Sequence, residues 1–174
     1  MVGFFHKLDA LLPARAERIL EVGVGEGKVA ARLRERYPEA TILGLDLPDA
    51  QLSNHWKTND LTGVFASADH IPFPDDSFDL VLGVEMLEHV GRPGAVLQDL
   101  ARVARGPAIL TVPWEPWWRA ANMARGSYLK DFGNTPGHIN HWTHRGFKNL
   151  VAQHFAVRSS TVAFPWTLVQ ATKH

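Results

Sequence analysis

Three glycines at alternate positions follow an acidic residue near the start of the chain. Gly23, Gly25 and Gly27 come after Glu21 in the segment EVGVGEG, between an apolar run typical of a buried strand and a pattern typical of a helix. Glycine permits a left-handed backbone and lets the main chain approach a ligand closely. The first N–H groups of a helix also lack partners within it. The spacing therefore predicts a small-molecule site at the carboxyl end of the first strand.

Carboxylates follow three other apolar runs. Asp46 comes directly after TILGL, where a carboxylate can accept hydrogen bonds from both hydroxyls of a ribose, and a helix cap beside Pro48 is the alternative. Asp69 is placed to accept a hydrogen bond from an adenine amino group, or else it only forms a turn. Glu85 comes shortly after the run FDLVLG. Because the carboxyl ends of parallel strands meet at one edge of a sheet, we expect these side chains to share a crevice with the glycine turn.

The elements that must position these residues alternate between strand and helix patterns. The predicted strands are residues 18–23, 41–45, 61–66, 78–83, 107–112, 157–164 and 166–172. The predicted amphipathic helices are residues 28–37, 93–103 and 143–154. Since right-handed crossovers through helices connect parallel strands, the pattern indicates an α/β fold with a doubly wound, parallel sheet.

Residues 113–142 differ from the rest of the chain. They are rich in Trp, Pro, Gly, Asn and Arg, with no strand period and only a weak helical one at 119–129. Long irregular segments in compact domains are usually lids or binding loops. Aromatic faces and cations suit a substrate that is apolar or planar and bears an anionic group; a lid packed on the core is the alternative. The residues predicted to bind this substrate, the acceptor of any transferred group, are Trp114, Trp117, Arg119 and His138.

The composition limits the partners and the location of the protein. Lys plus Arg and Asp plus Glu number 18 each, which argues against bulk nucleic acid as a partner. The sequence has no Cys, which excludes disulfides, thiolate zinc sites and Cys nucleophiles. No run approaches the ~18 apolar residues of a membrane span, and the first residues lack the apolar core of a signal peptide. We therefore expect one domain over residues 1–174, located in the cytoplasm.

Taken together, these motifs resemble those of class I S-adenosylmethionine-dependent methyltransferases, especially the small-molecule group related to quinone-biosynthesis enzymes. The E-x-G-x-G-x-G turn, Asp46, the Ala68–Asp69 step followed by IPFPDDSFD, and the EMLEHV run occur in the family's order within residues 18–112. The resemblance implies S-adenosylmethionine as the cofactor and a small-molecule acceptor of a lipid or quinone kind. It also implies a Rossmann-like sheet of seven strands, mostly parallel, with the last strand antiparallel.

The same resemblance implies roles for individual residues. The three glycines of the turn surround the methionine part of the cofactor, and Glu21 orders that turn. Asp46 holds the ribose, while Asp69 and the main chain at His70 hold the adenine. The complete set implied for cofactor binding is Glu21, Gly23, Gly25, Gly27, Asp46, Leu47, Asp69, His70 and Glu85.

Histidines are the candidates for any acid–base step, because some methyl acceptors need a general base. These candidates are His89, His138 and His141. Glu85, Glu88 and His89 also match an E-x-x-E-H metal motif of some quinone and small-RNA methyltransferases, in which a later histidine, here His138, completes the set. Such ligands suit a divalent ion. Because relatives without metal share the LEHV run, we predict that activity requires no metal and keep the four-ligand site as the alternative.

Two other functions remain open at this stage. A nicotinamide-dependent oxidoreductase prefers G-x-G-x-x-G, but the third glycine position of that motif is occupied by Lys28. A non-catalytic binding module of methyltransferase type usually loses the glycine turn or the ribose acid, and both are present here.

Many relatives carry an extra N-terminal helix over the cofactor, whereas only about 17 residues precede the first strand. The site is therefore expected to be open, or to be completed by a second subunit in a homodimer.

Overall fold

Seven strands form one mixed sheet in the computed structural model, which describes residues 2–174. The strands are β1 (Arg18–Val22), β2 (Thr41–Asp46), β3 (Thr62–Phe65), β4 (Leu80–Val84), β5 (Ala108–Pro113), β6 (Ala156–Ala163) and β7 (Trp166–Thr172). Their order is β3-β2-β1-β4-β5-β7-β6, and β1 to β5 run parallel. Strand β7 runs antiparallel to both β5 and β6. The predicted doubly wound sheet with an antiparallel last strand is confirmed.

Six helices cover the two faces of this sheet. They are α1 (Val2–Leu11), α2 (Lys28–Arg36), α3 (Ala50–Thr58), α4 (Pro93–Val103), α5 (Trp117–Ala124) and α6 (His144–Val151). Successive residues of a strand point to opposite faces. Ile19 accordingly belongs to one buried cluster with Leu33 of α2, while Leu20 belongs to the other with Leu97 of α4. Because both faces are buried, the central strands read as unbroken apolar runs rather than alternating ones.

The strand order reverses between β1 and β4. From β1 the chain proceeds outward through β2 to β3, and it then returns to place β4 on the opposite side of β1. Loops that leave neighbouring strands at such a point diverge and open a crevice at the carboxyl ends. The glycine turn leaves β1 at this position, so the fold places the predicted site where α/β sheets bind ligands.

Helix α1 is absent from the elements predicted from the sequence. Its apolar residues Phe4 and Leu8 are buried and spaced for one helical face, whereas His6 and Lys7 are exposed. The polar residues that interrupt the apolar pattern thus lie on the solvent side. The Phe4 ring packs 5.2 Å from the Trp166 ring of β7. The residues before β1 thus include a helix that packs on the sheet near β6 and β7.

The segment 113–142 is more regular than expected. Helix α5 occupies Trp117–Ala124, instead of the weak helical pattern at 119–129, and Gly126 follows it in a left-handed conformation, with φ of 72°. Pro116 precedes the first turn of α5, a position that suits proline because an N–H there has no partner. Among the helices of residues 2–174, none is long and apolar enough to cross a membrane.

Candidate functional site

A crevice of about 440 Å³ lies at the carboxyl ends of β1, β2 and β4. Its walls include five of the residues predicted to bind the cofactor, which are Gly23, Asp46, Leu47, Asp69 and Glu85. Apolar side chains such as Val22 and Met86 complete the lining. A mostly apolar cleft with a few convergent polar groups is the usual form of a small-molecule site. The topology thus brings together predicted residues as distant in the sequence as Gly23 and Glu85.

The glycine turn lies directly against the loop after β4. Gly23, Gly25 and Gly27 all have positive φ, at 73°, 51° and 84°. A Cβ atom on Gly23 would lie 2.6 Å from Cβ of Met86, closer than real Cβ atoms approach each other. Glycine is therefore required at Gly23 by both conformation and space. Gly23 alone of the three lines the crevice; the others shape the turn that leads into α2.

The Asp46 carboxylate ties the end of β2 to this turn. One oxygen accepts a hydrogen bond from Gly25 N–H at 2.7 Å, and the other accepts one from Leu47 N–H at 2.8 Å. The cap of α3 is Asp49, whose carboxylate accepts from the main chain of Gln51 and Leu52. The alternative prediction of Asp46 as a helix cap is therefore wrong.

Asp69 lies on the crevice wall and is already paired. Its carboxylate accepts hydrogen bonds from the Ser67 hydroxyl and from Arg92, each at 2.5 Å. The Ser67 hydrogen bond, followed by the Arg92 pair, lowers the pKa of Asp69 below its usual range. Arg92 was not singled out in the sequence; its one signal is its position directly before Pro93, which starts α4. His70 is exposed and outside this crevice lining, and its N–H donates to Ser67 O at 3.0 Å.

Glu21 is buried beneath the turn. It is 2% exposed, and burial raises its pKa to about 8, against the opposing effect of the Ala30 N–H of α2. It also lines a second cavity of about 210 Å³, which shares Gly23 and Glu85 with the crevice and is lined on one side by Phe4 and Phe5 of α1. Helix α1 therefore forms one wall of this second cavity.

Glu85 occupies an unusual backbone conformation at the end of β4. Its φ is 52°, which is uncommon for a residue with a side chain. Its N–H donates to the main-chain oxygen and to the hydroxyl of Thr111 on β5, both at 3.2 Å. Partial burial raises the pKa of the Glu85 carboxyl. Thr111, which the sequence analysis did not select, thus fixes the direction in which Glu85 enters both cavities.

Three of the four residues of the alternative metal motif lie together. Glu88, His89 and His138 each offer a ligand atom, and these atoms lie within 4.8 Å of one another. Glu88 is 1% exposed, and neither of its carboxylate oxygens has a hydrogen-bond partner within residues 2–174. Burial raises the pKa of Glu88 to about 8 and lowers that of His138 to about 4. This donor set fits a divalent ion; Glu85 lies outside it.

Aromatic rings connect α1 to this cluster along the carboxyl edge. Phe4 packs 5.2 Å from Trp166, Trp166 packs 5.4 Å from Trp118, and Trp118 stacks on His138 at 6.1 Å. His138 then meets His89 at 4.8 Å, and His89 lines the crevice. Trp118 thus packs inward toward this cluster, while Trp142 packs on the core at Phe147, with ring centroids 5.7 Å apart.

The other residues predicted to bind the acceptor lie farther out. Trp117 is 49% exposed, and Trp114 packs against Trp117 with ring centroids 6.2 Å apart. Arg119 donates to the main-chain oxygens of Asp131 and Phe132. None of these three predicted residues, nor His138, lines either cavity, so the structure does not bring them to the crevice wall. His141, the third candidate base, is exposed, and its ring lies 2.8 Å from the Asn134 side-chain oxygen.

Comparison with known sequences gives one family and several relatives. Residues 20–111 match the family described as a methyltransferase domain. The fatty-acid O-methyltransferase of Mycolicibacterium smegmatis is 34% identical over 107 residues, which are 60% of this chain and 39% of the relative. The phthiotriol/phenolphthiotriol dimycocerosates methyltransferase 1 of Mycobacterium ulcerans is 31% identical over 107 residues, covering 60% and 40%. The chain thus spans less than half the length of these relatives.

Comparison with solved structures gives the same fold. An S-adenosylmethionine-dependent methyltransferase from Thermotoga maritima superposes with a TM-score of 0.75 at 17% identity. The superposition covers 99% of this chain and 88% of the other. At this identity the likeness establishes the shared fold, including the last strands that lie outside the family match.

The buried Glu21 carboxyl makes stability depend on pH. Because its pKa is raised to about 8 in the folded chain and is about 4.5 when unfolded, the unfolded state releases its proton first. Stability then falls as pH rises from about 4.5 to 8, by at most about 1.4 kcal/mol for each pH unit. Glu21→Gln should flatten this decline in urea unfolding measured between pH 5 and 8. The exposed control Glu39→Gln should retain it, and parallel curves for Glu21→Gln and the parent would contradict the prediction.

Proposed function

The chain belongs to the methyltransferase domain family, and we propose that it transfers the methyl group of S-adenosylmethionine to a small, largely apolar acceptor. The observation that carries the proposal is the crevice in which Gly23, Asp46, Asp69 and Glu85 meet at the reversal of strand order. Family membership favours methyl transfer over the nicotinamide-dependent oxidoreductase. The cytoplasmic location and the homodimer stay predictions from the sequence.

In this proposal the crevice binds the cofactor by its nucleoside. Asp46 accepts hydrogen bonds from the ribose, with Leu47 beside it, and Asp69 lies near the adenine. The methionine part passes Gly23 toward the second cavity, where Glu21 and Glu85 are found. Gly25, Gly27 and the main chain at His70 support the site by shaping its turns, since they lie outside the crevice lining.

The reaction asks for positioning more than for covalent chemistry. When bound, S-adenosylmethionine supplies a methyl group already activated by its sulfonium. The acceptor atom attacks that methyl carbon in line, the carbon–sulfur bond breaks, and S-adenosylhomocysteine leaves, while the acceptor loses a proton if it carried one. Orientation and exclusion of water can provide most of the acceleration. Of the three candidate bases, His89 lines the crevice, and the His138 ring lies against the His89 ring. The lowered pKa of His138 keeps its imidazole neutral.

The acceptor class follows from the walls next to the methionine end. Phe4 and Phe5 line the second cavity, and ring contacts lead from Phe4 through Trp166 and Trp118 toward His138. The wall formed by Phe4 and Phe5 suits a lipid-like acceptor. Two of the relatives, a fatty-acid O-methyltransferase and a phthiotriol/phenolphthiotriol dimycocerosates methyltransferase, support the same class. Transfer of labelled methyl groups into a lipid extract, followed by mass spectrometry, would identify the acceptor, and the absence of any labelled product would favour a non-catalytic binding module.

Cofactor choice is the first test. The protein should bind S-adenosylhomocysteine in calorimetry and show no measurable binding of NAD or NADP. Asp46→Ala should weaken this binding ~10- to 100-fold, because a charge-assisted pair of hydrogen bonds contributes ~1.5–3 kcal/mol. Asp49→Ala is the matched control: it removes the carboxylate that caps α3, three residues away, and should lower stability without changing cofactor affinity. Equal losses at both positions, or tighter binding of NAD, would contradict the proposal.

The segment 113–142 is proposed to cover the acceptor, with Trp118 and His138 on its buried side and Trp114, Trp117 and Arg119 on its outer side. With the identified acceptor, Trp118→Ala should lower kcat/KM about tenfold or more, and Trp117→Ala should have a smaller effect. Affinity for S-adenosylhomocysteine should stay within about threefold in both variants. If the substitutions lower Tm alone and leave turnover per folded molecule unchanged, the segment is only a structural cover.

Metal dependence is tested separately. The prediction from the sequence is that methyl transfer needs no divalent ion. The alternative is supported by Glu88, whose carboxylate lies beside His89 and His138 and has no hydrogen-bond partner within residues 2–174. Turnover should persist after treatment with a chelator and dialysis. Loss of turnover that magnesium or manganese restores would make Glu88, His89 and His138 ligands and overturn the prediction. Glu88→Gln serves as the matched variant, because the amide keeps the size of the side chain and removes its charge.

A further inference from the structure

Exposed apolar side chains are concentrated on one part of the surface. Nine large apolar side chains are exposed within the part of the chain that the structure describes, and six of them belong to α5 and the residues that follow it. These six, which we call the apolar patch, are Trp117, Met123, Tyr128, Leu129, Phe132 and Ile139. Phe132 is 73% exposed and Leu129 is 60% exposed. A group of this kind usually marks an interaction surface.

The residues of the patch are held on one packed unit. The Arg119 side chain of α5 donates to the main-chain oxygen of Phe132, and Asn122 donates to that of Gly133 at 2.9 Å. A Cβ atom on Gly133 would lie only 2.9 Å from Cγ of Met123. Helix α5 and residues 128–133 are therefore in close contact along Arg119, Asn122 and Met123, so Met123 lies on the same packed unit as the exposed side chains of residues 128–132.

Two aromatic residues of the patch adopt a backbone conformation that bulky residues seldom take. Tyr128 and Phe132 flank a short 3₁₀ turn at Leu129–Asp131, with φ of 54° and 49°. Glycine or asparagine would adopt this conformation at lower cost. Phe132 nevertheless remains 73% exposed and Tyr128 44% exposed, and neither belongs to the buried core. This combination suggests that the aromatic side chains serve contacts outside the chain.

Cations lie among these apolar side chains. Arg119, Arg125 and Lys130 form no ion pair with a carboxylate in the range 2–174, unlike Arg32 or Arg92. The acidic residues of the segment 113–142 are the buried Glu115 and the exposed Asp131, so the surface is positive. Unpaired cations around exposed Trp, Tyr, Phe and Leu match an anionic lipid surface, which attracts the charges while the apolar side chains enter it.

We propose that the apolar patch, with Arg125 and Lys130, docks on an anionic lipid bilayer. Helix α5 begins four residues after β5, at the carboxyl edge where the crevice opens. Docking there brings the bilayer beside the crevice. The docking itself does not depend on the proposed methyl transfer; its use for delivery of a lipid-like acceptor rests on that function.

The test is co-sedimentation of the protein with lipid vesicles. The parent protein should bind vesicles that contain phosphatidylglycerol, bind phosphatidylcholine vesicles far more weakly, and dissociate as salt is added. Leu129→Ser with Phe132→Ser should lower the bound fraction about tenfold, and Lys130→Glu should lower it without removing any apolar side chain. Phe65→Ser is the matched control, since Phe65 is 37% exposed on β3 and lies outside both the patch and the crevice lining; its vesicle binding should equal that of the parent.

Three results would overturn the proposal. Equal binding to neutral and anionic vesicles would remove the role of the cations. A loss for Phe65→Ser as large as that for the patch variants would remove the role of the patch. Self-association in analytical ultracentrifugation that the patch substitutions abolish, with no vesicle binding by the parent, would assign the surface to a second copy of the chain. Retained binding of S-adenosylhomocysteine by the variants shows that they are folded, whatever their turnover.

Discussion

The peptide groups around Gly25 are held from two directions, and the site depends on this arrangement. The Gly25 N–H donates to the Asp46 carboxylate, while the Gly25 carbonyl accepts from the Trp56 indole at 2.8 Å. Asn59 donates to the neighbouring Glu26 carbonyl at 3.0 Å. The turn after β1 is thereby attached to the end of β2 and to α3. Together with the hydrogen bonds from Gly23 N–H and Val24 N–H to the Leu45 carbonyl, these contacts hold the left-handed glycines in place against the loop after β4.

Several carboxyls around the crevice are buried at an energetic cost. Removing a carboxylate from water without a full set of hydrogen bonds raises its pKa, as at Glu21 and Glu88. A chain selected for stability alone would place apolar residues at such positions. These carboxyls lie between the glycine turn and the cluster of Glu88, His89 and His138. Because perturbed pKa values concentrate at functional sites, they favour this edge of the sheet as the candidate site.

The sequence predicted the sheet well, because buried parallel strands give unbroken apolar runs and because the glycine turn is a local signal. It also predicted Asp46 and Asp69 correctly as neighbours of that turn, since strand ends share an edge. It could not show that Arg92 pairs with Asp69 or that Thr111 orients Glu85, because these contacts join distant residues and have no spacing pattern. Trp117 and Trp118 were indistinguishable in an eight-residue helix. Only packing against Trp166 shows which of the two is inward.

The carboxylates at Asp46 and Asp69 already have hydrogen-bond donors: the turn and Leu47 for the first, Ser67 and Arg92 for the second. A nucleoside that enters the crevice must share or displace these donors, so the free energy it gains is a difference between two sets of bonds rather than the sum of new ones. Both carboxylates thus have hydrogen-bond partners from the chain itself. Such a balance favours exchange, because the hydrogen bonds within the chain re-form when a nucleoside leaves. The crevice then keeps its shape for the next molecule.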